Sequence, residues 1–480
     1  MKKRCSTTSR ALFVIAALGF VLQSQAQLTL TLLHSFSAGA DGQQPYASLI
    51  QATDLVLYGT TYMGGTNNAG TVFKVNPDGS GNRPIYSFGR SAINPLGVAS
   101  PSGLIQGVDG ALYGTTGSGG QSGYGSVFKI NTDGSGYVDL HSFDPAGGAG
   151  YNPSASLVQA TDGNLYGTTE NGGAFALGTV FKIGPDGSGF TELYSFGAVP
   201  NDATSPVASL IQGADGALYG TSSAGGASAV NGASGYGCIF KINTDGSSET
   251  VLHSFFSDNT DGQHPYAGLT QDNTGRLYGT TQEGGSFAAG AATGFGTVFT
   301  IQPDGTGYAI LHSFNPGGGD GKYPHAALVL GNDGGLYGTT EFGGTNNMGI
   351  VFRLSTDGSQ YSVLFQFGSS PSSGRNPNAP LVRAASGGLF GTAQLGGAGN
   401  GGTLFRLNPS PSTISLVSAT PTRVFSLTAT PDFRYSIETS PDALHWALLT
   451  NLVSSGGVTL FSDPAASNAP TRFYRAAWVP

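Results

Sequence analysis

The pentapeptide "LYGTT" occurs at Leu57–Thr61 and returns at Leu112, Leu165, Leu277 and Leu336, with "LYGTS" at Leu218 and "LFGTA" at Leu389. The copies start 55, 53, 53, 59, 59 and 53 residues apart. A period of this size constrains the architecture more than any local propensity, because each unit can bury its faces only against its neighbours. Three segments travel with the pentapeptide: "ASLIQ" before it, "TVFKV" (Thr71–Val75) after it, and an "LHSF"-type run closing the unit. Each is short, rich in β-branched or aromatic residues, and bounded by Gly, Asp, Asn or Pro. One unit therefore reads as four strands: A, "ASLIQ"; B, "LYGTT"; C, "TVFKI"; D, "LHSF". Asp-Gly turns such as "NPDGSG" supply the positive φ that A–B and C–D hairpins require. Four antiparallel strands repeated seven times predict an all-β chain, a seven-bladed β-propeller of four-stranded blades.

The order of the segments adds a closure prediction. The repeats open on a D-type run, Leu28–Phe36, and end on a C strand, Thr403–Leu407. The seventh blade lacks its own D strand, and the run at 28–36 is expected to fill the gap and hide the edge. The propeller is thus expected over 27–408, with a linker at 409–413. Residues 414–480 carry six further strand-like runs and both tryptophans, Trp446 and Trp478. They predict a small C-terminal β-sandwich of immunoglobulin or fibronectin type.

Composition separates this chain from disordered ones. Glycine makes up 78 of 480 residues and charged residues only 10%, but aromatics also reach 10% and recur at the repeat period. Residues 1–26 read as a signal peptide: a basic "MKKR", an apolar run at Ala11–Leu22, and Ser24-Gln25-Ala26 as the cleavage site. Export is expected, to the cell surface, the medium or the periplasm. No later run is long and apolar enough for a membrane helix. Loss of Lys2, Lys3, Arg4 and Arg10 would take the formal charge from −8 to −12. An acidic, lysine-poor surface argues against nucleic acid and anionic membranes as partners. Cys238 would remain the single cysteine, so no intrachain disulfide is expected.

The motifs "DGxLYGTT", the following "GG", "GTVFKIN", "DGSG" and "LHSF" resemble the secreted bacterial tandem repeat called GloVer, of choice-of-anchor proteins. The resemblance covers Leu28 to Asn408. It implies export and surface association, and it supplies no catalytic residue. The tail, "YSIETSPDALHW" through "RFYRA", looks like a C-terminal module of such proteins.

Comparison among the copies separates the two ends of the blades. The C-strand Phe and D-strand Phe are 15 residues apart in six cases, whereas the B–C distance is 15 in five repeats and 21 in two adjacent ones. Loops that vary on a fixed scaffold are where function concentrates, which favours the B–C/D–A face. Just after "YGTT" the copies diverge most, giving Tyr62, Glu170, Gln282, Glu283, Glu341 and Phe342 as candidate ligand-binding residues. Carboxylates, amides and rings together suit a glycan, or a protein surface.

Other motifs carry less. The "NxDGSG" turns place oxygens at alternate positions like part of a calcium loop, but they lack the distal bidentate Glu, so a hairpin is expected and no cofactor. His34, His141, His253 and His312 share one D-strand slot with Tyr86, Tyr194 and Phe365, a tolerance that speaks for packing. The Tyr of "LYGTT" becomes Phe390 in the seventh copy, which argues against a site that needs the hydroxyl. No catalytic motif is present, and Cys238 has no His beside it. The expected protein is non-enzymatic and binds or displays. A polysaccharide-active hydrolase or lyase on the same face is the alternative, and a structural envelope protein the third.

Overall fold

The computed structural model describes residues 28–37, 39–89, 101–146, 148–227, 235–256, 260–286, 294–315, 317–385, 388–409, 413–418, 424–429, 434–454, 458–465 and 472–478. The expected signal peptide, most of the expected linker and the centres of the two long B–C loops (228–234 and 287–293) lie outside these residues. The protein is all-β, with short 3-10 turns as the only helical structure among the described residues.

Seven four-stranded antiparallel sheets follow the repeats. In the first, Ile50–Gln51, Leu57–Thr61, Thr71–Val75 and Arg83–Ser87 pair in that order. In the seventh, the outer position is taken by Leu28–Ser35, which pairs with Thr403–Pro409 from Leu28 opposite Pro409 to Ser35 opposite Thr403. The N-terminal run therefore does supply the missing D strand.

Strand A differs from expectation. Instead of five residues, only two per repeat join the ladder, Ile50 and Gln51 in the first. The residues ahead of them converge on the A segments of neighbouring repeats. A Cβ on Gly103 would lie 2.3 Å from Ser156 Oγ and 2.6 Å from Ser48 Oγ, so these stretches face one another across repeats.

The strand-B pentapeptide is wholly buried in every copy. Its Gly is required by close approach: a Cβ on Gly59 would sit 2.7 Å from both Leu49 and the Phe73 ring. Its Tyr packs between sheets and donates to the A–B turn, Tyr58 to Asp54, Tyr113 to Asp109 and Tyr219 to Asp215, each at 2.7 Å. Strand-C lysines complete the cluster at Lys129–Asp109 and Lys241–Asp215. In the seventh copy Phe390 replaces Tyr and Ser386 stands where the turn Asp would be, so donor and acceptor are absent together.

Neighbouring sheets are joined in two ways. The strand-A Gln accepts from the preceding A–B turn: Gln106 from Thr53 N–H, Gln159 from Val108, Gln212 from Thr161 and Gln271 from Ala214. Thr270 to Leu328 and Arg383 to Asn332 continue the series, and Ala385 N–H donates to Gln51, linking the seventh sheet to the first. At the outer edge, the D-strand slot stacks on a ring nine residues past the next repeat's C-strand Phe. His141 lies on Phe190 and His253 on Tyr308, both at 3.6 Å, and Tyr86 lies on Tyr137 at 4.1 Å. A flat face is what this slot demands, which is why His and Tyr interchange there. The histidines also pair with loop carboxylates, His253 with Asp261 and His312 with Asp320.

The C-terminal residues form six strands in two three-stranded sheets. Phe425, Leu427, Tyr435, Ile437 and Phe461 share one core, which continues into Leu389, Phe405 and Tyr337 of the last repeats.

Candidate functional site

The seven A segments enclose one cavity of about 680 Å³. Two positions of each segment build its wall. Nearest strand A stand small residues, Ser48, Gly103, Ser156, Ser209, Gly268, Ala327 and Pro380. Two residues earlier the identities diverge: Tyr46, Pro101, Ser154, Val207, Tyr266, His325 and Asn378. The first set keeps the space open, and the second gives it chemical character.

A repeated backbone device holds this second set. In six repeats the residue before the D–A proline has positive φ: Gln44, Asn152, Ser205, His264, Tyr323 and Asn376, all between 52° and 57°. A non-glycine residue in this region ahead of proline is strained by roughly 1–3 kcal/mol unless its surroundings hold it. Here both peptide groups are bonded. The N–H donates to a B–C loop carbonyl of the preceding repeat at 2.6 to 3.0 Å, as in Asn152 to Tyr124 and Gln44 to Gly401. The C=O accepts, at 3.0 to 3.3 Å, from the residue after the pentapeptide: Tyr62, Glu170, Ser223, Gln282, Glu341 or Gln394. Each strained residue thus fastens two repeats and fixes the first residue after "YGTT" beside the cavity.

The expected site residues fall at this rim, but unequally. Tyr62 lines the cavity. Glu341 and Gln282, from adjacent repeats, meet at His325, whose Nε2 lies 3.1 Å from Glu341 Oε2 and 3.0 Å from the Gln282 amide nitrogen. With a proton on Nε2 the ring donates to Glu341; without one it accepts from Gln282. The Glu341 side chain is 20% exposed. Glu170 reaches Ser154 at 3.5 Å. Glu283 lies on a two-residue strand opposite Gln263, and its charge is felt at Tyr266. Phe342 is turned away from the cavity, against Lys322 and Tyr323.

Sequence reasoning missed the wall residues themselves. Their signal was the hypervariable position between the D–A proline and the following Ala, filled by Tyr46, Ser154, Val207, Tyr266, His325 and Asn378. Tyr46 and Tyr266 are 49% and 38% exposed. Burial of the ring pushes the Tyr46 phenol up, and the Glu341 charge adds to it. Tyr266 is likewise raised, by burial and then by Glu283 and Glu170. Asn378 is 8% exposed, donates to Gln394 Oε1 at 3.1 Å and leaves its own Oδ1 without a donor.

The remaining candidates are structural in their contacts. In the "NxDGSG" turns Asp78 accepts from both the Ser80 N–H and hydroxyl, and no group of three metal-ligating side chains occurs among the described residues. Cys238 is buried and burial pushes its thiol up to about 12. No described helix is long and apolar enough to cross a membrane.

A family model described as the Gloeobacter/Verrucomicrobia repeat matches residues 6–230, 91–293 and 285–431. No curated protein matches the sequence. Among solved structures, the extracellular domain of BT4673 from B. thetaiotaomicron is 11% identical with a TM-score of 0.48, covering 95% of this chain and 59% of its own. A PL25 ulvan lyase bound to a -[GlcA(1-4)Rha3S]- ligand is 11% identical with a TM-score of 0.48, covering 91% and 100%. Puromycin hydrolase is 11% identical with a TM-score of 0.49, covering 83% and 62%.

Proposed function

The chain belongs to the Gloeobacter/Verrucomicrobia repeat family, and from that premise we propose an exported seven-bladed β-propeller that binds carbohydrate in its central cavity without cleaving it. In this reading residues 27–408 form the closed propeller and 414–480 a small β-sandwich that associates with the cell surface. The observation that carries it is the cavity: about 680 Å³, walled by all seven repeats, with tyrosines, serines, asparagines and His325 on its wall and Glu170 and Glu341 bonded to Ser154 and His325. Rings offer flat apolar faces to sugars while amides and acids meet hydroxyl groups, and a site of this size suits a few sugar units. The bonds running from each sheet to the next, and from Ala385 back to Gln51, favour the closed form.

A glycan array on the purified protein, repeated with Tyr46→Ala and Tyr266→Ala, tests this. Binding that both variants weaken, with no sugar released, is the expected result. Binding that neither variant affects would remove the cavity from consideration.

One contact favours a second reading, a polysaccharide-active enzyme. His325 with Glu341 behind one ring nitrogen has the form of a general base oriented by a carboxylate. Release of oligosaccharide by the wild type, abolished in His325→Ala, would establish it over binding alone.

A further inference from the structure

Resting on the carbohydrate reading, we propose that the cavity takes an uncharged hexose oligomer, held by its hydroxyl groups and the flat faces of its rings, and turns away amino and uronic sugars. Among the described residues, no Asp, Glu, Lys or Arg lines the cavity. Two carboxylates reach wall residues from outside the lining, and each is engaged there, Glu341 with His325 at 3.1 Å and Glu170 with Ser154 at 3.5 Å. His325 is the wall residue whose ordinary pKa lies nearest neutrality, and its Nε2 already faces Glu341. An ion entering this space gives up water, and no wall group of opposite charge stands free to repay the loss. A sugar hydroxyl gives up far less and finds partners in the wall.

The partners are specific. Ser48, Gly103 and Ser156 come from the first three repeats, and all three line the cavity. A Cβ on Gly103 would lie 2.3 Å from Ser156 Oγ and 2.6 Å from Ser48 Oγ, so the glycine leaves a notch into which both hydroxyls turn. Neither hydroxyl has a protein partner among the described residues. They are close enough together for one ligand oxygen to bridge them, donating to one and accepting from the other. The flat faces come from elsewhere on the wall. Tyr266 and His325, of the fifth and sixth repeats, have ring centres 5.5 Å apart with planes at 43°. A hexose carries C–H groups on its face and hydroxyls at its rim, which matches a wall divided in this way.

The test is calorimetric titration of the purified protein with β-linked tetramers of glucose, mannose and galactose, and with those of glucosamine and mannuronate. At least one neutral tetramer is expected to bind roughly ten-fold tighter than either charged one, with an affinity that salt leaves unchanged. Ser48→Ala with Ser156→Ala removes both notch hydroxyls and is expected to weaken that binding roughly ten-fold. Val207→Lys places a charge on the wall and is expected to admit the mannuronate tetramer with an affinity that salt erodes. Circular dichroism melts check that both variants are folded. A charged tetramer binding as tightly as the neutral ones, or a serine variant binding like the wild type, would overturn the proposal while leaving carbohydrate binding intact. So would a folded Val207→Lys protein that still ignores mannuronate, because wall charge would then not be what decides entry. Binding to none of the five would refute the proposal outright, and the array with its tyrosine variants then decides whether any sugar occupies the cavity.

Discussion

Glu249 stands where four other repeats carry a ring, nine residues past the C-strand Phe, and it is the place to perturb the outer stack. Tyr137, Phe190, Tyr308 and Tyr361 each lie against a neighbour there, whereas Glu249 faces Tyr194 at 3.4 Å and the buried Asp202. Its Oε1 has no partner. Burial raises its pKa from 4.5 to about 7, and the Asp202 charge adds to this. The folded state therefore holds a proton that the unfolded chain has released between those values, and stability falls as pH rises from 4.5 towards 7. A displacement of about 2.5 pH units sets a ceiling near 3 kcal/mol, and solvent access to a half-buried group reduces it to roughly 1–2 kcal/mol. Glu249→Gln keeps the shape and removes the charge. Denaturant unfolding at pH 8 is expected to give a variant about 1–2 kcal/mol more stable than the wild type, converging with it near pH 4.5. Glu249→Tyr should gain further by restoring the stack on Tyr194. If Glu249→Gln shows no gain at pH 8, or an equal gain at pH 4.5, burial of an ionising carboxylate is not what this position costs the fold.

Removing residues 28–36 should leave Thr403–Pro409 without its outer partner and abolish a single cooperative melt; an unchanged transition by calorimetry would contradict the pairing. Gly220→Ala places a methyl 2.5 Å from the Phe240 ring and should cost about 1–3 kcal/mol in urea unfolding, whereas Gly110→Ala, with nothing within 4 Å, should cost only the strain of its φ of 81°. Tyr113→Phe should lose roughly 1 kcal/mol by stranding Asp109, which Lys129 offsets in part. Cys238 should resist alkylation in the folded protein up to about pH 9 and react promptly once denaturant is added.

The repeat pattern made most of this fold legible, because Asp-Gly turns and the strand-B and strand-C runs are local signals that recur seven times. What it misjudged is strand A, whose short ladder comes from neighbouring repeats crowding one another at Gly103, Ser156 and Ser48. The site was half legible. Divergence after "YGTT" pointed to Tyr62, Glu170 and Glu341, but nothing local reveals that Glu341 and Gln282 meet at His325 from different repeats. Glu283 and Phe342 were grouped with the others by position, yet the two-residue ladders of these loops turn Phe342 away. The wall residues escaped because their orientation depends on a strained pre-proline conformation that sequence alone does not disclose.

That strained residue has a consequence for how such a protein changes over time. Because the rim is tied together by main-chain groups, as Asn152 is to Tyr124 and Glu170, no particular side chain is needed to keep it in place. Tyr, Val, Ser, His and Asn already occupy the following wall position without altering the sheets behind them. Six such positions can therefore mutate one at a time, each exchange altering the chemistry of the cavity wall while the scaffold stays folded. The character of the cavity wall is thus written in six letters that selection is free to edit.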